Sequence, residues 1–252
     1  AIFTGSDPAK VAETLAGSFY REGGQGLEIP VNGYLVERGG QYTLIDTGTA
    51  QLMGPDLGGL MAALTATGVT AEQITTVLLT HMHPDHAGGL IAPDGSAAFP
   101  NAELVVAETE WGFWYDDAIM ASVDEGSRGF FQMARDAVAP YAERRKPFTG
   151  EVEVAPGFTA MPLPGHTPGH VSVEIALPRQ VGSVITGDLI HSPIQCALPD
   201  MSPRVDWRKP TAAETRRQFL GEVAETRQLV LATHFPLPSI GRIKRYGDAF
   251  RW

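Results

Sequence analysis

The segment Thr80–Gly89 reads THMHPDHAGG and places His81, His83, Asp85 and His86 within six positions. Imidazole and carboxylate are the usual ligands of zinc and related divalent ions. In extended backbone, residues two apart point the same way, so His81 and His83 can reach one ion. Pro84 biases His83 away from the helical region. Asp85 and His86 then fall beyond the bend and can face a second ion. Gly88 and Gly89 permit a tight backbone approach at the start of a following helix. Taken singly, each of these residues reads as a solvated loop histidine, or for Asp85 as a helix cap. Four potential ligands in six positions favour a metal site.

The chain has seven histidines in 252 residues, and the other four have equally pointed contexts. His166 and His170 lie in GHTPGH, His191 follows Asp188 by three, and His234 ends an apolar run. None sits on an ordinary helix face, which core packing does not explain.

These residues need a scaffold, and the flanking pattern supplies one. Short apolar runs alternate with helical patterns, the mark of a layered α/β domain. Expected strands are GYLVERG and YTLIDTG, joined by a hairpin turn at Gly39-Gly40, then ITTVLLTH, AELVVAE, GFTAMPLPG, HVSVEIAL, GSVITGD and QLVLATH. Expected helices cover Asp56–Thr67, Gly126–Tyr141 and Thr211–Arg227. The last has Pro210, then Thr211 as N-cap with Glu214 three residues on, and a core stripe of Phe219, Leu220 and Val223. Asp46, His81, His166, Asp188 and His234 each follow the end of an apolar run. Strand ends share one edge of a sheet, where loops carry function on a rigid support.

Bulk composition narrows the field. Apolar content of 43% and charged content of 19% are ordinary for a globular protein. A formal net charge of -10 argues against a nucleic-acid partner, which needs a basic face. No run approaches the ~20 apolar residues of a membrane span. The single cysteine, Cys196, cannot form an intramolecular disulfide, so the redox compartment stays open. The chain begins without a methionine, as a processed or trimmed N-terminus would. Cytoplasm and periplasm are both compatible with this.

The ordered set H-x-H-x-D-H, GHTPGH, GD and late TH resembles the dinuclear hydrolases of the metallo-β-lactamase superfamily. Longer stretches are similar to its methyl parathion hydrolase subgroup and to its quorum-quenching lactonases. They include VNGYLVERGGQYTLIDTGTAQLMGPDLGGL, FPNAELVVAE, GFWYDD, GFFQMARDAVAPY, KPFTGEVEVAPG and THFPLPSIGRI, which cover most of residues 31 to 252. The resemblance implies an α/β fold, an αββα four-layer sandwich, formed as a single domain over residues 1–252. Residues 1–30 match less well and are expected to be an N-terminal extension packing on it. The resemblance also implies two divalent ions, zinc first and manganese, cobalt or iron as alternatives. His81, His83 and His166 resemble the ligands of one ion, and Asp85, His86 and His234 those of the other. Asp188 resembles the carboxylate that bridges both.

Other residues carry two readings each. Asp46 matches a position that orients a ligand histidine, or it caps a turn. His170 is a ligand or, more in keeping with the family, a structural residue. His191 stands where related lactonases carry a tyrosine that touches the substrate oxygen. It either contacts substrate as a donor or acid, or lies on the rim. Cys196 lies eight residues past Asp188, where the antibiotic-degrading class places a cysteine at the aspartate itself, and reads as a packed thiol.

The chemistry implied is hydrolysis by a metal-bridging hydroxide, because two ions sharing a water lower its pKa towards neutrality. Asp85 is expected to orient that water as well as bind metal. Phe113, Trp114, Phe130 and Phe131, each of which would otherwise pack in a core, would together line an aromatic pocket. Such a pocket suits small neutral lactones, aryl esters and organophosphate triesters. The rival class is a thioesterase like glyoxalase II, for which Arg242, Lys244 and Arg245 would have to hold the anionic thiol carrier. A nuclease is disfavoured by charge, and a non-catalytic role by the completeness of the ligand set. A homodimer is expected, since Trp111–Tyr115 would be a large apolar patch if left exposed.

Overall fold

A computed structural model describes residues 3, 8–16, 22–23, 26–27, 29–54, 57–177 and 182–252. The chain forms two compact units, Gly33–Thr149 and Gly150–Trp252 with Ala1–Asn32.

The first unit is built on a five-stranded sheet whose spatial order follows the sequence. Its strands are β1 (Tyr34–Arg38), β2 (Gln41–Ile45), β3 (Ile74–Leu78), β4 (Glu103–Ala107) and β5 (Arg145–Phe148). β1 and β2 form an antiparallel hairpin in which Arg38 faces Gln41, leaving Gly39 and Gly40 as the two-residue turn. Both have positive φ, 59° and 80°, the requirement that makes a Gly-Gly pair a hairpin signal. From β2 to β5 the pairing is parallel. Parallel neighbours need crossovers, and helices α1 (Leu60–Thr67), α2 (Pro84–Ala87), α3 (Glu108–Trp114), α4 (Asp117–Ser122) and α5 (Glu125–Val138) lie in them. Leu44, Val77, Leu104 and Val106 join Phe99, Ala134 and Tyr141 in the core, while Ile45, Leu78 and Val105 on the alternate positions are also buried. Strands buried on both faces read as continuous apolar runs, as VLL and LVV do.

In the second unit a six-stranded sheet has the order β11-β10-β9-β8-β7-β6. These are β6 (Val152–Ala155), β7 (Phe158–Pro162), β8 (Val171–Ile175), β9 (Ser183–Ile185), β10 (Leu229–Leu231) and β11 (Ile240–Gly241). Only the β9–β10 pair is parallel, and its crossover holds α6 (Ile194–Ala197) and the long α7 (Lys209–Thr226). Phe219, Leu220 and Val223 of α7 pack against Val184, Val230 and Phe235, the stripe expected from the sequence. A C-terminal hairpin of β12 (Lys244–Tyr246) and β13 (Ala249–Arg251) adds Phe250 to this core.

Several boundaries differ from expectation for local reasons. Helix α7 starts at Lys209, so Thr211 is not its cap; Pro210 occupies the first turn, where a missing N–H costs nothing. Helix α5 starts at Glu125 because Asp124 caps it, accepting from the Ser127 N–H at 3.1 Å. It stops at Val138, and Ala139–Arg144 continues as a 3₁₀ turn containing Pro140. Helix α1 runs from Leu60 to a left-handed Gly68 (φ 79°), while the expected start at Asp56 lies outside the described residues. Helices α3, α4 and α6 and strands β5, β6, β11, β12 and β13 have no clean periodicity in the sequence and differ from expectation by being present. Among the described residues, no helix is long and apolar enough to cross a membrane.

Candidate metal centre

Both units deliver their polar residues at the carboxyl ends of strands. In the first, β2 and β3 are parallel neighbours, so Asp46 and the Thr80–His86 segment emerge at the same edge. Asp46 has a left-handed φ of 56°, which few non-glycine residues adopt. Its carboxylate occupies three donors: Thr80 N–H at 2.8 Å, Thr80 hydroxyl at 2.8 Å and His86 Nδ1 at 2.9 Å. His86 Nε2 is thereby turned to Asp85, 3.7 Å from Oδ2.

His83 has extended backbone (φ −59°, ψ 150°) before Pro84, so its ring falls beside that of His81, with centroids 4.9 Å apart. The two rings each offer a nitrogen within 4.8 Å of the other. His83, not Asp85, occupies the N-cap position of the short helix, because Pro84 is its first residue. Thr47 grips the segment from below, its N–H and hydroxyl both donating to His86 O at 2.7 and 2.8 Å. Gly89 N–H donates to Gly48 O at 3.0 Å. A Cβ on Gly89 would stand 2.1 Å from Thr47 O, so this approach requires glycine.

Two supports of this loop were invisible in the sequence. Glu110 of α3 is fully buried and accepts from Met82 N–H, between His81 and His83, at 2.9 Å and from Trp114 Nε1–H at 2.6 Å. Tyr141 hydroxyl donates to Leu90 O and accepts from Phe99 N–H.

The expected pocket aromatics lie mostly in this unit's core. Phe113, Trp114 and Phe131 are buried and in mutual contact, and Trp114 meets His83 edge-on at 5.0 Å. Phe130 is half-buried, 6.3 Å from the His83 ring. Trp111 and Tyr115 stack on each other at 4.5 Å beneath the guanidinium groups of Arg145 and Arg135. The segment therefore uses most of its aromatic surface within its own unit.

In the second unit, β7 and β9 run the same way and β9 parallels β10, so His166, Asp188 and His234 share an edge. Three imidazoles face the Asp188 carboxylate: His166 at 3.2 Å and His191 at 3.2 Å on Oδ2, and His234 at 2.9 Å on Oδ1. Two of the three are tied back through their outer nitrogens. His166 Nδ1 donates to Asp206 Oδ1 at 2.9 Å, and His234 Nδ1 to Pro30 O at 2.8 Å. Such outer bonds fix tautomer and ring orientation, aiming Nε2 inward.

His170 spends both nitrogens on main chain: Nδ1 donates to Leu163 O and Nε2 accepts the Asp188 N–H at 3.0 Å. It holds the Asp188 turn as a neutral imidazole. His191 is buried rather than on a rim and stacks on His234 at 5.2 Å, 9° from parallel. Burial holds its pKa below the ordinary value despite the pull of Asp188.

Charge in this half is unbalanced towards the negative. Burial alone would lower the His166 pKa, but Asp188 and Asp206 on either side raise it to about 9. Burial would raise Asp206, yet the His166 hydrogen bond and nearby cationic groups bring it below its usual value. Two carboxylates flanking one imidazole call for positive charge, which a proton or a divalent cation supplies. Nitrogen and oxygen donors of this kind, with outer atoms already hydrogen-bonded, fit a divalent ion. Asp206 and its partner Arg216, fully buried on α7, carry no motif in the sequence. An Asp beside exposed Val205 and Trp207 reads as an ordinary loop residue.

These two clusters and their scaffold have a family: residues 26–233 match the model of the metallo-beta-lactamase superfamily, and the chain belongs to it. Its particular relatives include the uncharacterized protein YobT of Bacillus subtilis, 34% identical over 63% of this chain and 61% of that protein. An N-acyl homoserine lactonase of Bacillus thuringiensis is 27% identical over 64% of each chain. The chain thus spans somewhat under two thirds of these curated relatives. Among solved structures, the hydrolase AbOPH of the beta lactamase superfamily superposes with a TM-score of 0.90 at 32% identity, over 100% of this chain and 88% of that one. AidC, a dizinc quorum-quenching lactonase solved with the product N-hexnoyl-L-homoserine, gives 0.87 at 25% identity, over 98% and 86%. The fold is that of this superfamily, as expected.

Proposed function

We propose that the chain, acting as one functional domain over residues 1–252, is a dinuclear metal-dependent hydrolase of small neutral lactones, aryl esters or organophosphate triesters. His81, His83 and His166 would hold one ion, Asp85, His86 and His234 the other, and Asp188 both. The observation carrying this reading is the Asp188 carboxylate, faced by three imidazoles of which two are tied back through their outer nitrogens. When bound, two ions supply Lewis-acid polarisation of a carbonyl or phosphoryl oxygen and a water acidic enough to attack near neutral pH.

The chain's own residues do the rest. Asp46, Asp206 and Pro30 O hold three ligand imidazoles in one tautomer each. His170 holds the Asp188 turn by its main chain. Asp85, the more exposed carboxylate of the set, would accept a proton from an attacking water. His191 lies against Asp188, where it can donate a hydrogen bond to a substrate oxygen. Phe130, half-buried near His83, is the aromatic residue best placed to border an apolar substrate group.

The test is elemental analysis plus a panel of N-hexanoyl-homoserine lactone, dihydrocoumarin, p-nitrophenyl acetate, methyl paraoxon and lactoylglutathione on zinc-loaded protein. Two ions per chain with lactone, aryl ester or triester turnover supports the reading; thioester turnover alone replaces it with the glyoxalase II type. Fewer than one ion per chain removes it. A homodimer is also proposed. Since Trp111–Tyr115 is largely used within its unit, pairing would draw on Leu52, Met53, Leu57 and Met61, each more than a third exposed. Light scattering at 27.0 kDa over micromolar concentrations would refute it.

A further inference from the structure

Arg216 lies in the middle of α7 and is fully buried. An isolated buried guanidinium is strongly unfavourable, so its partners explain its presence. Nε donates to Leu189 O at 2.7 Å. Nη1 donates to Pro199 O at 2.8 Å and to Met201 O at 3.2 Å. Nη2 donates to Asp206 Oδ2 at 3.3 Å. Four of the five N–H donors of the planar fork are thus placed within one unit.

Two of these partners lie next to candidate ligands. Leu189 follows Asp188 directly, in the same 3₁₀ turn. Asp206 uses its other oxygen to fix His166 Nδ1 at 2.9 Å. The loop around Asp206 also grips the His166 turn by main chain: Trp207 N–H donates to His166 O and Arg208 N–H to Gly165 O, both at 2.9 Å. A third strand of the network runs through Gln195, whose Nε2 shares Met201 O with Arg216 and whose Oε1 accepts the His191 N–H.

We propose that Arg216 is a positioning residue of the metal centre, a rigid group that ties the His166 and Asp188 turns to each other. The inference rests on the metal reading given above. Geometry explains why arginine is needed. A delocalised fork has its donors in fixed directions, so a carbonyl on one side and a carboxylate on the other are held in register. Lysine carries the same charge on a single rotatable ammonium. It could satisfy Asp206 or Leu189 O, and not both in register. The bland alternative is that Arg216 only satisfies carbonyls of the 189–201 connection and contributes to folding alone.

The test uses the full chain with Zn²⁺ and Co²⁺ as probes, comparing wild type, Arg216→Lys, Asp206→Asn and the double variant. Zinc affinity is read by chelator competition, site geometry by the visible absorption of the cobalt-loaded protein, and folding by circular dichroism. Loss of such outer support lowers metal affinity by about 10–100-fold in other sites. Arg216→Lys is expected to stay folded, lose zinc affinity in that range for at least one ion, and shift the cobalt bands. The double variant should bind zinc about as weakly as Asp206→Asn, because both substitutions cut the same link.

Unchanged zinc affinity and cobalt bands in a folded Arg216→Lys protein would overturn the proposal, and so would losses that add in full. Should Arg216→Lys unfold, Asp206→Asn decides alone, since it leaves the three carbonyl bonds of Arg216 in place. Unaltered affinity there defeats the proposal. Wild-type protein that takes up neither ion defeats the metal reading itself, a result distinct from a wild type that binds both and an Arg216 variant that binds both equally well.

Discussion

The two units place their candidate ligands by opposite means. The first draws four from six consecutive positions, His81 to His86, and shapes them with backbone: an extended His83, Pro84, and glycines that let main chain bond to main chain. The second draws His166, Asp188 and His234 from three separate strand ends and aligns them with a buried polar network. Compact sequence spacing therefore makes a site that backbone substitutions break. Dispersed ligands make one that side-chain substitutions break.

The largest effect should come from the carboxylate that three imidazoles face. Asp188→Ala should lose at least one ion and more than about a hundredfold in turnover, beyond the range of outer-residue changes. Metal analysis with lactone kinetics checks both, and retention of activity would leave the second unit without its centre. Next comes the backbone of the first unit. Gly89→Ala forces a Cβ against Thr47 O, and overpacking of this kind costs about 1–3 kcal/mol. Urea denaturation should show that loss, whereas a neutral result would mean the loop is not held by this approach.

A third contrast is in pH. In metal-stripped protein the carboxylates of Asp188 and Asp206 raise the folded-state pKa of His166 from its ordinary 6.5 to about 9. Its contribution to stability is therefore complete below about pH 6.5 and is lost as pH rises through about 9. Thermal melts of chelated protein should fall across that window, and zinc-loaded protein should not follow, since the cation takes the place of the proton. Equal slopes would show that the flanking carboxylates do not act on His166 as described. The smallest effect concerns Cys196. Burial pushes its thiol up to about 12, so it should ignore a thiol reagent at pH 8 in native protein and react once unfolded. Rapid native labelling would place it outside the core.

This contrast also explains what the sequence made legible. Strands β1–β4 and β7–β10, the hairpin and the seven ligand candidates were readable because each carries a local mark: alternation or apolar runs, a Gly-Gly turn, histidines in tight spacing, or a polar residue closing an apolar run. Asp206, Arg216 and Glu110 carry none. A buried arginine on a helix looks like any charged helix residue until its partners, up to 27 positions away, are known. Pro210 misled the start of α7 because proline fits either of the first two turn positions. The Phe113–Trp114 and Phe130–Phe131 pairs were readable as aromatic but not as core or lining, because neither pair shows a periodicity that separates the two.

The Asp46–Thr80–His86 knot and the Thr47 and Gly48 main-chain bonds hold the histidine loop in shape using protein atoms alone. Small zinc domains differ, since there the ion is the nucleus of folding and its removal unravels the chain. Here the loop is preorganised, so ion capture spends little chain entropy. A chelator should strip the centre to a folded apoprotein that can be refilled with a different divalent ion. Which metal occupies it would then follow the supply in the surrounding medium more than any step in folding.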